Sequence, residues 1–318
     1  MNTDKLDAKA IQNYRPRRNK ATGWKILAPF LFLFSFTEIA AAQIPANAAR
    51  TIFLSNPLNA AESSVAYHPG FSQYYTSGIG TTSRPGFVYD NAGTLIHTED
   101  PLNIDVRAIN FNPNTGLLEV VTFGAVTGGV GRGLIEAQLD GSGLYTGGTA
   151  TLLASMPGND GSQTLPAYDP ARDRFYSRGS SNTVNIVARS DGSLLGTITL
   201  DFATAGVASA TNNALGFAPS QDWLIVTDSA DDTAAIFDLS GDHVGTSALD
   251  VDVPGSYNIG FANGQLFVQT GEGYQGFDIG AGAPSASPPA TIPTIGAYGL
   301  IFTAIGLFML AVRRLSRS

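Results

Sequence analysis

The residues of this chain best equipped for chemistry are few and widely spaced. His68, His97 and His243 are its three histidines. The first ends a strand-like segment, the second lies inside another, and the third follows a turn. A metal or catalytic site needs converging ligands, and these positions predict solvated or turn histidines instead. The serines stand in no G-x-S-x-G elbow, and the sequence has no H-E-x-x-H pair and no Walker motif, whose lysine is missing everywhere after Lys25. Gly271-Glu272-Gly273-Tyr274-Gln275-Gly276 fits G-x-G-x-x-G. It lies between two strand-like segments, opens no helix, and has Gly296 about 20 residues on, where a dinucleotide site wants an acid. It reads as a glycine hairpin. Asp228, Asp231 and Asp232 form an acidic cluster with metal-ligating oxygens, although their spacing matches no EF-hand loop.

The elements that must position these residues are set out by a repeat. Val65-Ala66-Tyr67-His68-Pro69, Ile109-Asn110-Phe111-Asn112-Pro113, Pro166-Ala167-Tyr168-Asp169-Pro170, Leu215-Gly216-Phe217-Ala218-Pro219 and Ile259-Gly260-Phe261-Ala262-Asn263 share one pattern. Their aromatics recur at intervals of 44, 57, 49 and 44 residues, within the range of propeller blades. A second strand follows each (Ser72–Thr76, Leu117–Phe123, Arg174–Ser177, Trp223–Thr227, Gln265–Thr270). A third comes next (Gly86–Asp90, Gly133–Asp140, Val184–Arg189, Ala234–Leu239, Tyr274–Ile279). Asn91-Ala92-Gly93, Asp140-Gly141, Asp191-Gly192 and Ser240-Gly241-Asp242 then offer the positive φ of tight hairpins. A fourth strand, such as Ser193–Leu200, closes the first four units. The fifth has none, while Arg50–Ser55 is a strand without a unit. Pairing the two would close the ring and remove an exposed edge. The expected fold is all-β, a β-propeller of about five four-stranded blades, with one C-terminal transmembrane helix. Ala66, Asn110, Ala167, Gly216 and Gly260, each beside an aromatic, are expected to crowd a narrow axis while the aromatics pack between blades.

In such a meander the loops entering strands one and three share a face. That face would gather Asp105, Arg107, Arg132, Asp160, Arg178, Asn212, Asp228, Asp231 and Asp232. Loops on a rigid scaffold are where function concentrates. These carboxylates and arginines would suit a calcium ion, a glycan or a protein ligand, or simply a solvated acidic rim. No other cofactor is expected.

Charge is distributed unevenly. Between Gln43 and Thr291 eight arginines stand against 23 Asp and Glu, a net of −15. Such a surface repels nucleic acid, whose binding needs clustered Lys and Arg. Cysteine is absent, so burial and strand pairing must hold the fold without disulfides.

The two ends read as addresses. Seven Lys and Arg precede an apolar stretch, Ile26 to Phe36, and Ala40-Ala41-Ala42 before Gln43 fits a small-residue cleavage site. Residues 1–42 are therefore expected to be a signal peptide engaging the Sec translocon. The propeller would occupy residues 43–279 and a Pro/Ser/Ala/Gly-rich linker residues 280–291. In the tail, residues 292–318, an uncharged run from Ile295 to Val312 precedes Arg313, Arg314 and Arg317. Eighteen helical residues reach about 27 Å, enough to cross a hydrocarbon core. The arginines mark the cytoplasmic end.

Ile292-Pro293-Thr294, an uncharged span and an arginine cluster resemble the IPTL-CTERM sorting signal, a relative of the PEP-CTERM signals of Gram-negative bacteria. Where that family continues Leu-Ser-Glu-Trp-Gly, this chain has Ile295-Gly296-Ala297-Tyr298-Gly299, with Tyr298 keeping an aromatic and Gly299 the glycine. The resemblance covers about 25 residues. It implies recognition by an exosortase or archaeosortase-like membrane enzyme and cleavage near the short motif. It places the domain on the inner membrane facing the periplasm, or at the cell surface after processing. The repeats look like secreted bacterial propellers related to NHL and YVTN repeats, a likeness that implies binding more often than catalysis. The alternatives are a hydrolase or lactonase using a divalent metal on the loop face, and an extracellular-matrix or biofilm component released by tail cleavage.

Overall fold

A computed structural model describes residues 43–55, 62–123, 133–147, 151–155, 163–257 and 259–281. The expected signal peptide, with its cleavage residues Ala40 and Ala42, lies outside them. So do Arg132, Asp160, most of the linker, the Ile292-Pro293-Thr294 motif with Tyr298 and Gly299, the span 295–312, and Arg313, Arg314 and Arg317. Among the described residues no helix is long and apolar enough to cross a membrane.

Five four-stranded antiparallel sheets make up the described fold. The first contains β2 (Ala66–His68), β3 (Gln73–Ser77), β4 (Gly86–Tyr89) and β5 (Leu95–Glu99), paired in chain order. The second contains β6 (Val106–Asn112), β7 (Leu117–Thr122), β8 (Gly133–Glu136) and β9 (Thr151–Ser155). The third contains β10 (Ala167–Asp169), β11 (Arg174–Arg178), β12 (Thr183–Ala188) and β13 (Leu194–Thr199). The fourth contains β14 (Gly216–Ala218), β15 (Trp223–Asp228), β16 (Thr233–Phe237) and β17 (His243–Ala248). The fifth takes β18 (Ile259–Ala262), β19 (Gln265–Thr270) and β20 (Gly273–Asp278), and is completed by β1 (Ala49–Ser55) from the other end of the chain. The inner strands touch in the cyclic order β2, β6, β10, β14, β18, with β18 returning to β2. The fold is a closed five-bladed propeller, and its seam lies where the unpartnered strand predicted it.

The core follows from this geometry. A blade has two faces, each pressed on a neighbour, so its middle strands are buried on both sides and lose the simple alternation of a half-exposed sheet. Trp223-Leu224-Ile225-Val226-Thr227-Asp228 is buried throughout. The buried apolar residues fall into five clusters, one for each interface between blades. Ala66, Tyr75 and Val88 of the first blade, for example, meet Ile109, Leu118, Val120 and Ile135 of the second.

The turns between third and fourth strands are built by aspartates. Asp90 Oδ1 accepts hydrogen bonds from the amides of Ala92 and Thr94, Asp140 Oδ1 from Ser142 and Leu144, and Asp238 Oδ1 from Ser240 and Asp242. The positive φ falls on Gly93, Gly143, Gly192 and Gly241. In the second blade this is two residues later than Gly141, because the Asp140 turn has the same Asp-to-Gly spacing as those at Asp90 and Asp238. The third strand of that blade also stops at Glu136, and Leu139 pairs with Tyr145 as an isolated bridge instead. A Cβ on Gly241 would sit 2.1 Å from the Thr199 carbonyl oxygen, and one on Gly93 2.4 Å from that of Phe53. These two turns thus pack on the outer strand of the preceding blade, where only glycine fits, while Gly143 packs on Phe71 and Gln73.

All five outer strands carry a register shift. In three blades the pairing skips an outward-facing apolar residue: Ile96, Leu195 or Val244, which are 45%, 60% and 45% exposed. Bulges twist an edge away from flat pairing with another chain.

Candidate functional site

Immediately under the loop face lies a layer of hydroxyls. The Ser77 amide donates to Ser63 Oγ at 3.1 Å, Ser177 Oγ to Thr164 Oγ1 at 2.9 Å, and Thr227 Oγ1 to Thr211 Oγ1 at 2.9 Å. Each pair ties the loop entering a blade to the end of that blade's second strand. Buried polar groups must find partners, and here the partners are one another. These residues were not singled out from sequence. Their separations of 14, 13 and 16 residues recur in the first, third and fourth blades, a pattern readable in the sequence.

The predicted residues sit among these pairs. Asp105 and Arg107 are buried and form an ion pair of 2.9 Å, with Asp105 also accepting from the Gly80 amide at 3.2 Å. The Arg107 guanidinium lies 4.7 Å from the Phe123 ring centroid. Arg178 is wholly buried, donating to the carbonyls of Ser181, at 2.9 Å, and Thr211. Burial pushes it down to about 10 because desolvation disfavours the charged form. Asp228 accepts from three amides, those of Ala208 at 2.6 Å, Ser209 at 3.0 Å and Ala230 at 2.9 Å. Asp232, at φ +51°, accepts from the Val253 amide at 2.8 Å. Asp231 is exposed. Asn212 presents its side chain to solvent while its backbone bonds to Gly255 and Tyr257. The Asp228 cluster therefore divides among three directions. No group of three His, Cys, Asp or Glu placed to hold a metal occurs among the described residues.

The histidines also keep apart. His68 packs between Phe71 and Phe111, with ring centroids 4.5 and 4.6 Å away. His97 Nε2 lies 3.0 Å from the Tyr145 carbonyl, and His243 Nε2 lies 2.9 Å from Thr246 Oγ1. The glycine fingerprint is the turn between β19 and β20. A Cβ on Gly276 would lie 2.6 Å from Thr51 Oγ1, so this glycine admits the closing strand β1.

The axis is a channel of about 30 Å³ lined by Ser64, Asn110, Ala167 and Gly260, together with Tyr168, Phe217 and Phe261. Asn110, Ala167 and Gly260 line it as the alternation predicts, whereas Ala66 packs in the core between the first and second blades and Gly216 faces Ile225 and Ile259. The aromatics reach the axis too, since rings of this size extend past the blade interface their Cβ atoms face. Such a volume holds about two waters, far below the hundreds of cubic ångströms an organic ligand fills.

On the opposite face arginines clasp neighbouring blades. Arg172 joins Asp169 at 3.1 Å to Asp222 at 2.6 Å, and Arg189 pairs with buried Glu119. With Arg107 and Arg50, which pairs with Asp250 at 2.7 Å, most of the described cations are neutralised internally. Acidic groups then dominate the exterior.

No known protein family and no curated protein matches the chain. Among solved structures it is similar to a gluconolactonase from Xanthomonas campestris, at 14% identity and a TM-score of 0.44, over 76% of this chain and 93% of that one.

Proposed function

We propose that the domain is a non-catalytic recognition module, exported and held at or released from the outer side of the inner membrane, where its loop face meets a protein or glycan partner. The observation that supports this reading is the internal commitment of the loop-face polar residues. Asp105 with Arg107, Arg178 with two carbonyls, Asp228 with three amides, and the hydroxyl pairs all fix loop backbones in place. A loop set anchored from beneath presents preorganised surface at low entropic cost. Asp231 and Asn212 are left outward to meet a partner. In this reading residues 1–42 direct export, residues 295–312 form the membrane span, and an exosortase-type enzyme acts near Ile292-Pro293-Thr294. The same tail would serve a matrix component equally well.

The test is intact mass and fractionation of the protein from its native host. A species running from near Gln43 to near Thr294 outside the membrane is the expected result. Retention of Arg313 to Ser318 in the membrane fraction would reduce the tail to a plain anchor. An unprocessed chain in the cytoplasm would overturn the reading.

A further inference from the structure

Glu62 sits at the entrance to the first blade, and its side chain is set into the closure of the ring. It is 1% exposed, and neither carboxyl oxygen has a hydrogen-bond partner. The Thr76 hydroxyl is close enough to favour the charged form slightly, but it is not placed for a full hydrogen bond. Among the described residues no cationic side chain acts on the carboxyl. The groups facing it are Thr76 from β3, Tyr89 from β4 and Tyr274 from β20, while Gln269 of β19 accepts from the Glu62 amide at 3.4 Å. Both tyrosines are raised by burial and then by the charge of Glu62.

These tyrosines are the cross-braces of the seam. Tyr89, from the first blade, donates to the Ser55 carbonyl of the closing strand at 2.6 Å. Tyr274, from the fifth, donates to the Ser63 carbonyl entering the first. A carboxylate buried among them without a counter-charge carries a large desolvation cost, so the group enters the fold as the neutral acid. Burial accordingly raises it from the ordinary 4.5 to about 8. If the proton is lost to water, the new negative charge acts on both phenols, and a shift of the side chain toward them would set it against the carbonyls they now bind.

We propose that Glu62 is a proton-operated latch on ring closure: as the acid it leaves the Tyr89 and Tyr274 braces on Ser55 and Ser63, and its ionisation loosens the seam between the first and fifth blades. An exported domain meets the pH of its surroundings directly, so the latch would couple seam stability to that pH. It acts independently of whatever the loop face binds.

Hydrogen exchange of the full-length protein, corrected for intrinsic rates across pH 5 to 9, tests this on the amides of Ser63 and Ser77. These pair with the Ser77 carbonyl and Ser63 Oγ. In the native protein their protection relative to β11 amides should fall at least tenfold above pH 8. In Glu62→Gln the ratio should stay flat. Equal, pH-independent ratios in both proteins would overturn the proposal. Should Glu62→Gln not fold, the Glu62 carbon-13 carboxyl signal of the unsubstituted protein decides: a midpoint near 8 supports the latch, and one below 5 refutes it. A calcium-dependent rise in seam protection at pH 9, present in the native protein and lost in the variant, would replace the proton with a cation and likewise overturn it.

Discussion

Ring closure rests heavily on one side chain, and its truncation should be felt by the whole domain. β1 is the outermost strand of the fifth blade and pairs only with β20. Along its length only Leu54 is fully buried, at 0% exposure, against Val65, Tyr74, Phe87, Tyr89, Ala262, Phe267 and Tyr274. Leu54→Ala removes three carbons, worth about 2.4 kcal/mol in transfer free energy. The cavity left among five aromatic rings that cannot all relax inward adds more, for a total of about 3–4 kcal/mol. Phe53, its neighbour, is 39% exposed, and Phe53→Ala should cost no more than about 0.5 kcal/mol. Urea unfolding followed by near-ultraviolet circular dichroism reads both. With a slope of about 2–3 kcal/mol per molar, Leu54→Ala lowers the midpoint by more than 1 M without changing the slope. A loss under about 1 kcal/mol would mean that β1 is not docked as described, and the closed ring would have to be abandoned.

Three further outcomes are expected. Gly241→Ala should destabilise by about 3 kcal/mol in thermal unfolding, since it combines φ +93° with a backbone clash; Gly196→Ala, with open space around it, should stay within about 1 kcal/mol. Stability should peak near pH 4 to 5 in urea midpoints measured from pH 2 to 9. Asp140 and Asp191 are held below the usual range by backbone amides, and Asp222 by Arg172. Their contribution is present above pH 3.8 and is lost as pH falls through the folded values. Glu62 is raised, so its folded form holds a proton the unfolded chain has released, and stability declines from pH 4.5 to about 8; a midpoint rising through that interval would contradict the Glu62 assignment, and one unchanged below pH 3.8 that of the aspartates. Millimolar calcium should leave the melting temperature at neutral pH unchanged, because Asp228 and Asp232 are already engaged by amides. A rise of several degrees would restore the metal-dependent alternative.

The blades were legible because a propeller repeats its solution. Tyr67, Phe111, Tyr168, Phe217 and Phe261 mark five inner strands by spacing alone, and the orphan strand near Arg50 revealed the seam by a deficit in the last unit. What did not repeat was harder to see. The helix α1 (Phe202–Ala205), capped by Asp201 and ended by Gly206 in the left-handed conformation, is too short to show a period. Glu62 carries no local sign of its burial, since a single acid before a strand ordinarily faces water. Its environment comes from Tyr274, more than 200 residues away. Among the described residues, Asp105 and Arg107 lie at the start of β6, and Arg178 and Asp228 at the ends of β11 and β15. Their partners were not foreseeable, because amides and carbonyls contributed by neighbouring loops leave no pattern in side-chain sequence.

The seam also decides how the domain bears tension. Ala49 lies opposite Asp278 in antiparallel register, and a Cβ on Gly280 would touch the Gln43 carbonyl, so the chain enters and leaves the propeller at adjacent points. Traction between those two points would part β1 from β20 like a zip, one hydrogen bond at a time. Traction between the exit at Ile279 and a partner gripping the loop face travels differently. It runs along β20, which is bonded to β1 on one side and β19 on the other, and must slide two ladders at once. A propeller held by its exit alone would therefore withstand a pull that the same propeller, tethered at both ends, would not.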